Sequence, residues 1–412
     1  MVSPLLHTSQ ALAIDGGIPV RSSPLPGWPH FSPDEVLAVA DALRSGRVNY
    51  WTGEQGRAFE REFAAAVRAD HGIAIANGTV ALELALRALG IGPGDEVVVP
   101  SRTFMASASS VVTSGARPVF ADVDPDSGNL TADTVRAAIT DRTRGVIAVH
   151  LGGWPVDMDP LIRLARETGL AVIEDCAQAH GACYHGKPVG TLGDVAAWSF
   201  CQDKILTTAG EGGFVTTSDR AVWKSVWSYK DHGKDPDLLA TPHDGAGFRW
   251  MHNSIGTNAR MHELAAAAGR VALRHLPEFV RRRRENAGAL LRQLGRVPQL
   301  RVPVPPDSPA VHASYYRAYA YLRPQALRPG WDREQVLRAI RAEGIPCSVG
   351  SCGEVYRELA FACGPRPAGG RLPVAARLAD TSLAFLVHPT LTLDDMRDTA
   401  DAVEKVLSTA SA

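Results

Sequence analysis

The chain is short of lysine. Of its 43 basic residues only Lys187, Lys204, Lys224, Lys230, Lys234 and Lys405 are lysines; the rest are arginine. Lys204 stands in WSFCQDKILTTAGEGGFVTT, between a strand-like apolar run and a Gly-rich turn. Arginine is permanently charged, whereas a lysine amine can lose its proton and attack a carbonyl. On this residue alone a nucleophile and a surface charge are both open readings. Cysteine is also sparse, with six in 412 residues and no C-x-x-C pair. That excludes a disulfide scaffold, and reduced thiols are expected. Cys176, His180 and Cys183 match no standard zinc spacing, so no metal is expected. Charge of one sign is missing too. The net charge is −1, which argues against nucleic-acid or anionic-membrane partners. No basic leader precedes a long apolar run and no stretch is long enough to span a bilayer, so a cytoplasmic protein is expected. The one charge run, Arg281–Arg284, is expected on a solvated helix face.

What is present is alternation. Residues 1–30, rich in Pro, Gly and Ser, read as an N-terminal arm. Ser32 and Pro33 cap an amphipathic helix, FSPDEVLAVADALRSG. Strand-like EVVVP, ARPVFADV, RGVIAVHL, LAVIEDC, DVAAWSF and GGFVTTS then follow, most of them separated by helix-like segments. Nearly continuous apolar strands between helices predict an α/β fold, with a mostly parallel sheet covered on both faces. A large domain is placed at 31–276. A helix around 277–296 is expected to link it to a smaller α+β domain, the two together filling 277–412.

Ligands of such sheets bind at the carboxyl ends of the strands. Asn77-Gly78-Thr79 opens a helix there, where N–H groups and a hydroxyl can hold a phosphate. Asp175 ends LAVIEDC, Gln178 and His180 follow on the same loop, and Ser199 ends the next strand. Phe104 follows a further strand end. Singly, these are an ordinary cap, turn residues, a buried hydroxyl and a core ring. Together, an anion cradle, a strand-end carboxylate and a loop lysine meet the needs of pyridoxal 5'-phosphate (PLP).

The segments NGTVALELALRALGIGPGDEVVVPSRTFMASA, GARPVFADVDPDSGNL, VIEDCAQAHGACYHGKPVG, SFCQDKILTTAGEGG and GTNARM resemble, in order, the DegT–StrS family of PLP-dependent sugar aminotransferases. The resemblance implies the PLP-dependent transferase fold (fold type I), of the aspartate-aminotransferase kind, with a seven-stranded sheet in the large domain. It implies Lys204 as the Schiff-base lysine, Asp175 as the partner of the pyridinium nitrogen and Gln178 as the contact to the ring hydroxyl. Gly78, Thr79 and Ser199 match phosphate contacts and Phe104 the stacking ring. Asn258 matches an asparagine that reaches the neighbouring subunit's phosphate, which implies a homodimer with shared active sites. His180, Tyr315, Tyr316 and His388 stand as candidate substrate contacts. The implied reaction moves an amino group from L-glutamate or glutamine to a keto-sugar, first of all a nucleotide-linked keto-hexose. The alternatives are a cyclitol ketone of the inosose type or a carbocyclic antibiotic precursor, then a PLP-dependent sugar dehydratase or a non-catalytic regulator.

Overall fold

Five-residue runs such as EVVVP and VAAWS bury every side chain, so they serve as central strands rather than half-solvated ones. In the computed structural model, described for residues 11–242, 248–306, 310–362, 364, 366–367 and 369–412, seven strands form one sheet. They are β1 (His71–Ile75), β2 (Glu96–Pro100), β3 (Arg117–Ala121), β4 (Thr143–Val149), β5 (Ala171–Asp175), β8 (Val195–Ser199) and β9 (Gly213–Thr217). The order is β1-β9-β8-β5-β4-β2-β3. Neighbours from β8 to β3 are parallel, and β9 runs antiparallel to both β8 and β1. The expected mostly parallel sheet of seven strands is therefore present. The two-residue β6 (Cys183–Tyr184) and β7 (Lys187–Pro188) make a side hairpin.

The helices α1 (Pro33–Arg44), α2 (Gln55–Val67), α3 (Gly78–Ala88), α4 (Met105–Thr113), α5 (Ala132–Arg136), α6 (Met158–Thr168), α7 (Arg220–Lys230) and α8 (Pro236–Ala240) accompany the sheet. Ser32 and Glu35 form a reciprocal capping box at α1. Several elements have no counterpart in the sequence reading, among them α2, β1 and α7. The reason at α2 is visible. Its N-cap, Glu54, makes no capping bond, and the carboxylate of Glu263, distant in sequence, accepts from the Gln55 and Gly56 N–H groups instead. A cap supplied by another helix leaves no local signal.

That other helix, α9, runs Glu263–Leu294 through Pro277, so it starts well before the expected 277. A boundary at 276/277 falls inside it. The Arg281–Arg284 run is not one solvated face. Arg281 and Arg282 are exposed beside Glu278, but Arg283 is wholly buried and Arg284 donates to the Ala313 carbonyl. Four successive residues circle a helix, so one of them must face inward.

Beyond α9, β10 (Leu300–Arg301), β12 (Ala318–Leu322), β13 (Cys347–Ser348) and β14 (Ser382–Phe385) form an antiparallel sheet, while β11 (Val311–His312) joins the side hairpin. Helices α10 (Arg333–Ala342), α11 (Pro373–Thr381) and α12 (Leu393–Thr409) accompany this second sheet. Residues 1–10 of the expected arm lie outside the described residues. From Leu12 onward the arm is bound to the second sheet's core, with Leu12 buried there. Glu343 accepts from the N–H groups of Ala13 and Val20 and pairs with Lys405. Among the described residues no helix is long and apolar enough to cross a membrane.

One buried carboxylate fixes the strand end that carries the site. Asp175 and Glu174 point to opposite faces of β5. Glu174 Oε1 accepts from the N–H groups of Leu192 and Gly193 at 2.7 and 2.8 Å. Its Oε2 accepts from Gly190 N–H at 2.8 Å and meets His150 Nε2 at 3.0 Å. His150 Nδ1 accepts from Val156 N–H, so Nε2 carries the proton. Cys176 lies close to both, yet Glu174 has no acceptor left for a metal ion. Burial pushes the Glu174 carboxyl up, but His150 and the backbone N–H groups outweigh it and hold it below its usual value. Glu174→Gln turns an NH₂ toward two donors. We expect it to cost about 3 kcal/mol or more in denaturant unfolding. A loss under 1 kcal/mol would show that the network is not needed.

Candidate active site

The carboxyl ends of β5 and β8 and the start of α3 open on one cavity of about 740 Å³. Gly78, Thr79, Phe104, Asp175, Gln178, Ser199, Lys204 and Tyr316 all line it. Asn77 caps α3 through the Val80 N–H, and the N–H groups of Gly78 and Thr79 have no acceptor within the helix. A Cβ on Gly78 would sit 2.6 Å from Ser199 Cβ, so only glycine lets the helix start approach β8 this closely. The result is a cradle of donors with the positive end of a helix behind it.

On the cavity floor, Asp175 Oδ2 accepts from Ser107 Oγ at 2.7 Å, and Oδ1 from Ala177 N–H at 3.1 Å. Ser107 sits on the first turn of α4, which Phe104 precedes as N-cap. Phe104 is 63% exposed, an unusual position for a phenylalanine, and it lines the cavity. Gln178 Oε1 accepts from Gly152 N–H at 2.8 Å, and its amide nitrogen donates to Ser351 Oγ at 3.2 Å.

Lys204 lies in a short polar network. Its Nζ is 3.7 Å from Asp203 Oδ1 and 4.9 Å from the centre of the Tyr316 ring. Asp203 also accepts from the Tyr316 hydroxyl and lies 3.6 Å from the Arg317 guanidinium. Burial pushes the Asp203 carboxyl up. Lys204, Tyr316 and Arg317 together more than reverse that and hold it below its usual value. Burial raises the Tyr316 hydroxyl, with Asp203 adding to the effect. Asp203, Arg317, Ser107 and Tyr319, none of them singled out in the sequence, belong to this site or its supports. Asp203 had a local signal in its place beside Lys204. Arg317 and Tyr319 had none, because they arrive from β12 and the loop before it.

Four expected residues are not part of the cavity wall. His180 is wholly buried between Trp198 and Phe200, beneath the site. It faces the aromatic core. His388 is buried under Trp28, with Nδ1 on the Thr390 hydroxyl. Tyr315 lines a small separate cavity. Asn258 is exposed on its own chain, its Oδ1 accepting from Arg260 N–H.

The profile of the DegT/DnrJ/EryC1/StrS aminotransferase family matches residues 29–404. The chain belongs to this family. It is an aminotransferase, and its α/β fold is that of the PLP-dependent transferases. It is 38% identical to L-glutamine:2-deoxy-scyllo-inosose aminotransferase of Streptomyces kanamyceticus, over 97% of each chain. It is 37% identical to UDP-N-acetyl-3-dehydro-alpha-D-glucosamine 3-aminotransferase of Acidithiobacillus ferrooxidans, over 92% of this chain and 96% of that one. Among solved structures, an aminotransferase from Psychrobacter cryohalolentis superposes with a TM-score of 0.91 at 47% identity, covering 94% of this chain and all of that one.

The two buried histidines make stability depend on pH. Burial first, then the nearby cations, lowers both to about 3, Lys204 and Arg283 acting on His180, Arg283 and Arg317 on His388. Between that value and about 6.5 the unfolded chain binds protons that the folded enzyme refuses, so stability falls as pH falls. Each histidine contributes a slope of up to about 1.4 kcal/mol per pH unit there. Denaturant unfolding at pH 7 and pH 5 should show the loss, and His180→Phe should remove about one proton from the slope. An unchanged slope in that variant would place the titration elsewhere.

Proposed function

We propose that this aminotransferase binds pyridoxal 5'-phosphate at Lys204 and transfers an amino group from L-glutamate or glutamine to a keto group on a sugar or cyclitol ring. The observation that carries the reading is the meeting, in one cavity, of an amine, a braced carboxylate and an anion cradle. That donor set fits a phosphorylated aromatic ring with a basic nitrogen. Gly78 and Thr79 N–H groups with Ser199 Oγ take the phosphate. Phe104 would lie against the ring, and the Gln178 amide nitrogen would meet the ring hydroxyl. Asp175, held by Ser107 and Ala177, keeps a proton on the ring nitrogen. Bound there, the cofactor supplies an electron sink for the carbon that bears the amine. Lys204, once its amine is free, takes a proton from that carbon and returns it one atom away, as base and then acid.

For the acceptor, a nucleotide-linked keto-hexose is the first reading, supported by the UDP-sugar relative. A cyclitol ketone of the inosose type is the second, supported by the Streptomyces kanamyceticus relative. Incubation with glutamate or glutamine and a panel of both ketone classes, with product amines identified by mass spectrometry, separates them. No amine from any member would overturn the reading. The five described cysteines are all unpaired, which suits a reducing cytoplasm, where we place the enzyme.

We further infer a homodimer with shared sites. Asn258 is exposed and lies off its own cavity wall, on a segment that also exposes Phe248, Trp250 and Ile255. Helix α1 exposes Val36, Leu37 and Leu43. Apolar surface of this kind marks contact with another chain.

Two results check these roles. Borohydride reduction and peptide mapping should place the pyridoxyl group on Lys204. Lys204→Ala and Lys204→Arg should lose it and fall in turnover by at least about 10²–10⁴-fold; a label on any other lysine sinks the assignment. Asn258→Ala should weaken cofactor binding by roughly 1.5–3 kcal/mol, about ten- to hundredfold. Mixed dimers of Lys204→Ala with Asn258→Ala, at limiting cofactor, place both defects in one site and neither in the other. They should recover up to half of the activity per dimer. No rescue at any mixing ratio would mean that each site is built within one chain.

A further inference from the structure

The backbone carbonyl of Lys204 accepts a hydrogen bond from outside its own domain. The donor is the indole Nε1–H of Trp28, at 2.9 Å. Trp28 belongs to the N-terminal arm, and its ring is gripped by three further side chains. Phe279 of α9 meets it edge-on at 5.2 Å, and the buried Arg283 guanidinium lies 5.2 Å from its centre. On another side the imidazole of His388 stacks on it at 6.1 Å. The residue before it is fixed as well. Gly27 gives its carbonyl to the Thr390 hydroxyl at 3.0 Å, and Thr390 Oγ1 accepts in turn from His388 Nδ1 at 2.8 Å. The indole thus joins the lysine loop to the linking helix and to the loop that follows β14.

From this geometry we propose that Trp28 is a positioning residue for Lys204: its N–H fixes the backbone of the lysine loop, and His388, Thr390, Phe279 and Arg283 hold the indole in place to do so. Among the described residues the lysine backbone has no other hydrogen bond from that side. Its N–H closes a local turn onto the Cys201 carbonyl at 3.0 Å, and the carbonyl looks outward to Trp28. A lysine that must present its amine to one atom, release it and take it back needs a fixed backbone, since its four-carbon stem is flexible. His388 then acts through Trp28, which accounts for its burial away from the cavity.

The proposal rests on the reading of Lys204 as the cofactor lysine, and the two fail differently. That reading fails if wild-type enzyme carries no pyridoxyl label on Lys204. This one is tested on labelled holoenzyme. Trp28→Phe keeps the ring contacts and removes only the N–H. Cofactor loss from the holoenzyme should quicken about two- to tenfold, the range for one neutral hydrogen bond. kcat should fall by a similar factor with KM for both substrates unchanged, and the visible circular dichroism of the bound cofactor should change shape. Thr390→Val, which leaves the indole and frees the Gly27 anchor, should move the same three readouts the same way but less. If Trp28→Phe does not accumulate as folded protein, Thr390→Val carries the test alone. Cofactor release and dichroism equal to wild type, or a change confined to the melting temperature, would overturn the proposal and leave Trp28 as packing only.

Discussion

The site depends on a backbone approach that admits no side chain. The start of α3 lies between the ends of β8 and β9. A Cβ on Gly78 would meet Ser199 Cβ at 2.6 Å, and one on Gly213 would meet the Asn77 carbonyl group at 2.3 Å. Both are closer than real Cβ contacts allow. With glycine at both positions, the donors of the helix start reach the strand end that leads into the lysine loop. Ser199 is at once the wall that Gly78 touches and the first residue of the path to Lys204. Adding a methyl at either glycine would push the anion cradle away from the amine, so the spacing of the whole site is set by two absent side chains.

Beneath that contact lies a frame of buried charges, each with its own solution. Glu174 is saturated by three backbone N–H groups and His150. Lys230, wholly buried, pairs with Glu60 at 2.6 Å and lies against the Tyr50 ring. Glu263 caps α2. Among the described residues Arg283 has no carboxylate within ion-pair distance and feels Asp203 only from further off. It faces the Trp28 ring and leans on the carbonyls of Tyr315 and Tyr316, and burial together with Arg317 lowers it to about 9. An unpaired buried cation is costly. Here it adds to burial, the larger cause, in lowering both His180 and His388.

Sequence reading reached the sheet, most of its strands and the residues on one cavity wall because those are local signals. A strand end followed by Asp175, a Gly-Thr helix start and a lysine before a Gly-rich turn sit in short segments whose chemistry is legible residue by residue. It failed where the information is carried by distant partners. Helix α2 takes its cap from Glu263, and Arg283 is buried by the turn of α9 and by an arm some 250 residues earlier in the chain. Arg317 and Tyr319 enter the cavity from β12 and its preceding loop. His180 shows the opposite error. Its place beside Gln178 suggested the cavity, but residues two apart on a tight turn need not share a face, and the aromatic core claimed it.

Charge balance in the cavity explains why Asp203 and Arg317 belong with the lysine. Lys204 and Arg317 are the cationic side chains of the wall, and Asp175, Asp203 and Glu211 the anionic ones. Asp175 is committed to Ser107 and Ala177 on the floor. Asp203 is left to share Lys204, Arg317 and the Tyr316 hydroxyl. When the lysine amine is engaged elsewhere, Asp203 keeps two partners and gains no unpaired charge. When the amine is free, the carboxylate stands 3.7 Å away and gives it a place to return to. The network therefore tolerates both positions of the amine. Under the proposed function, in which the amine alternates between two partners, a lysine loop clamped at its backbone and balanced at its side chain can move one group without disturbing the rest.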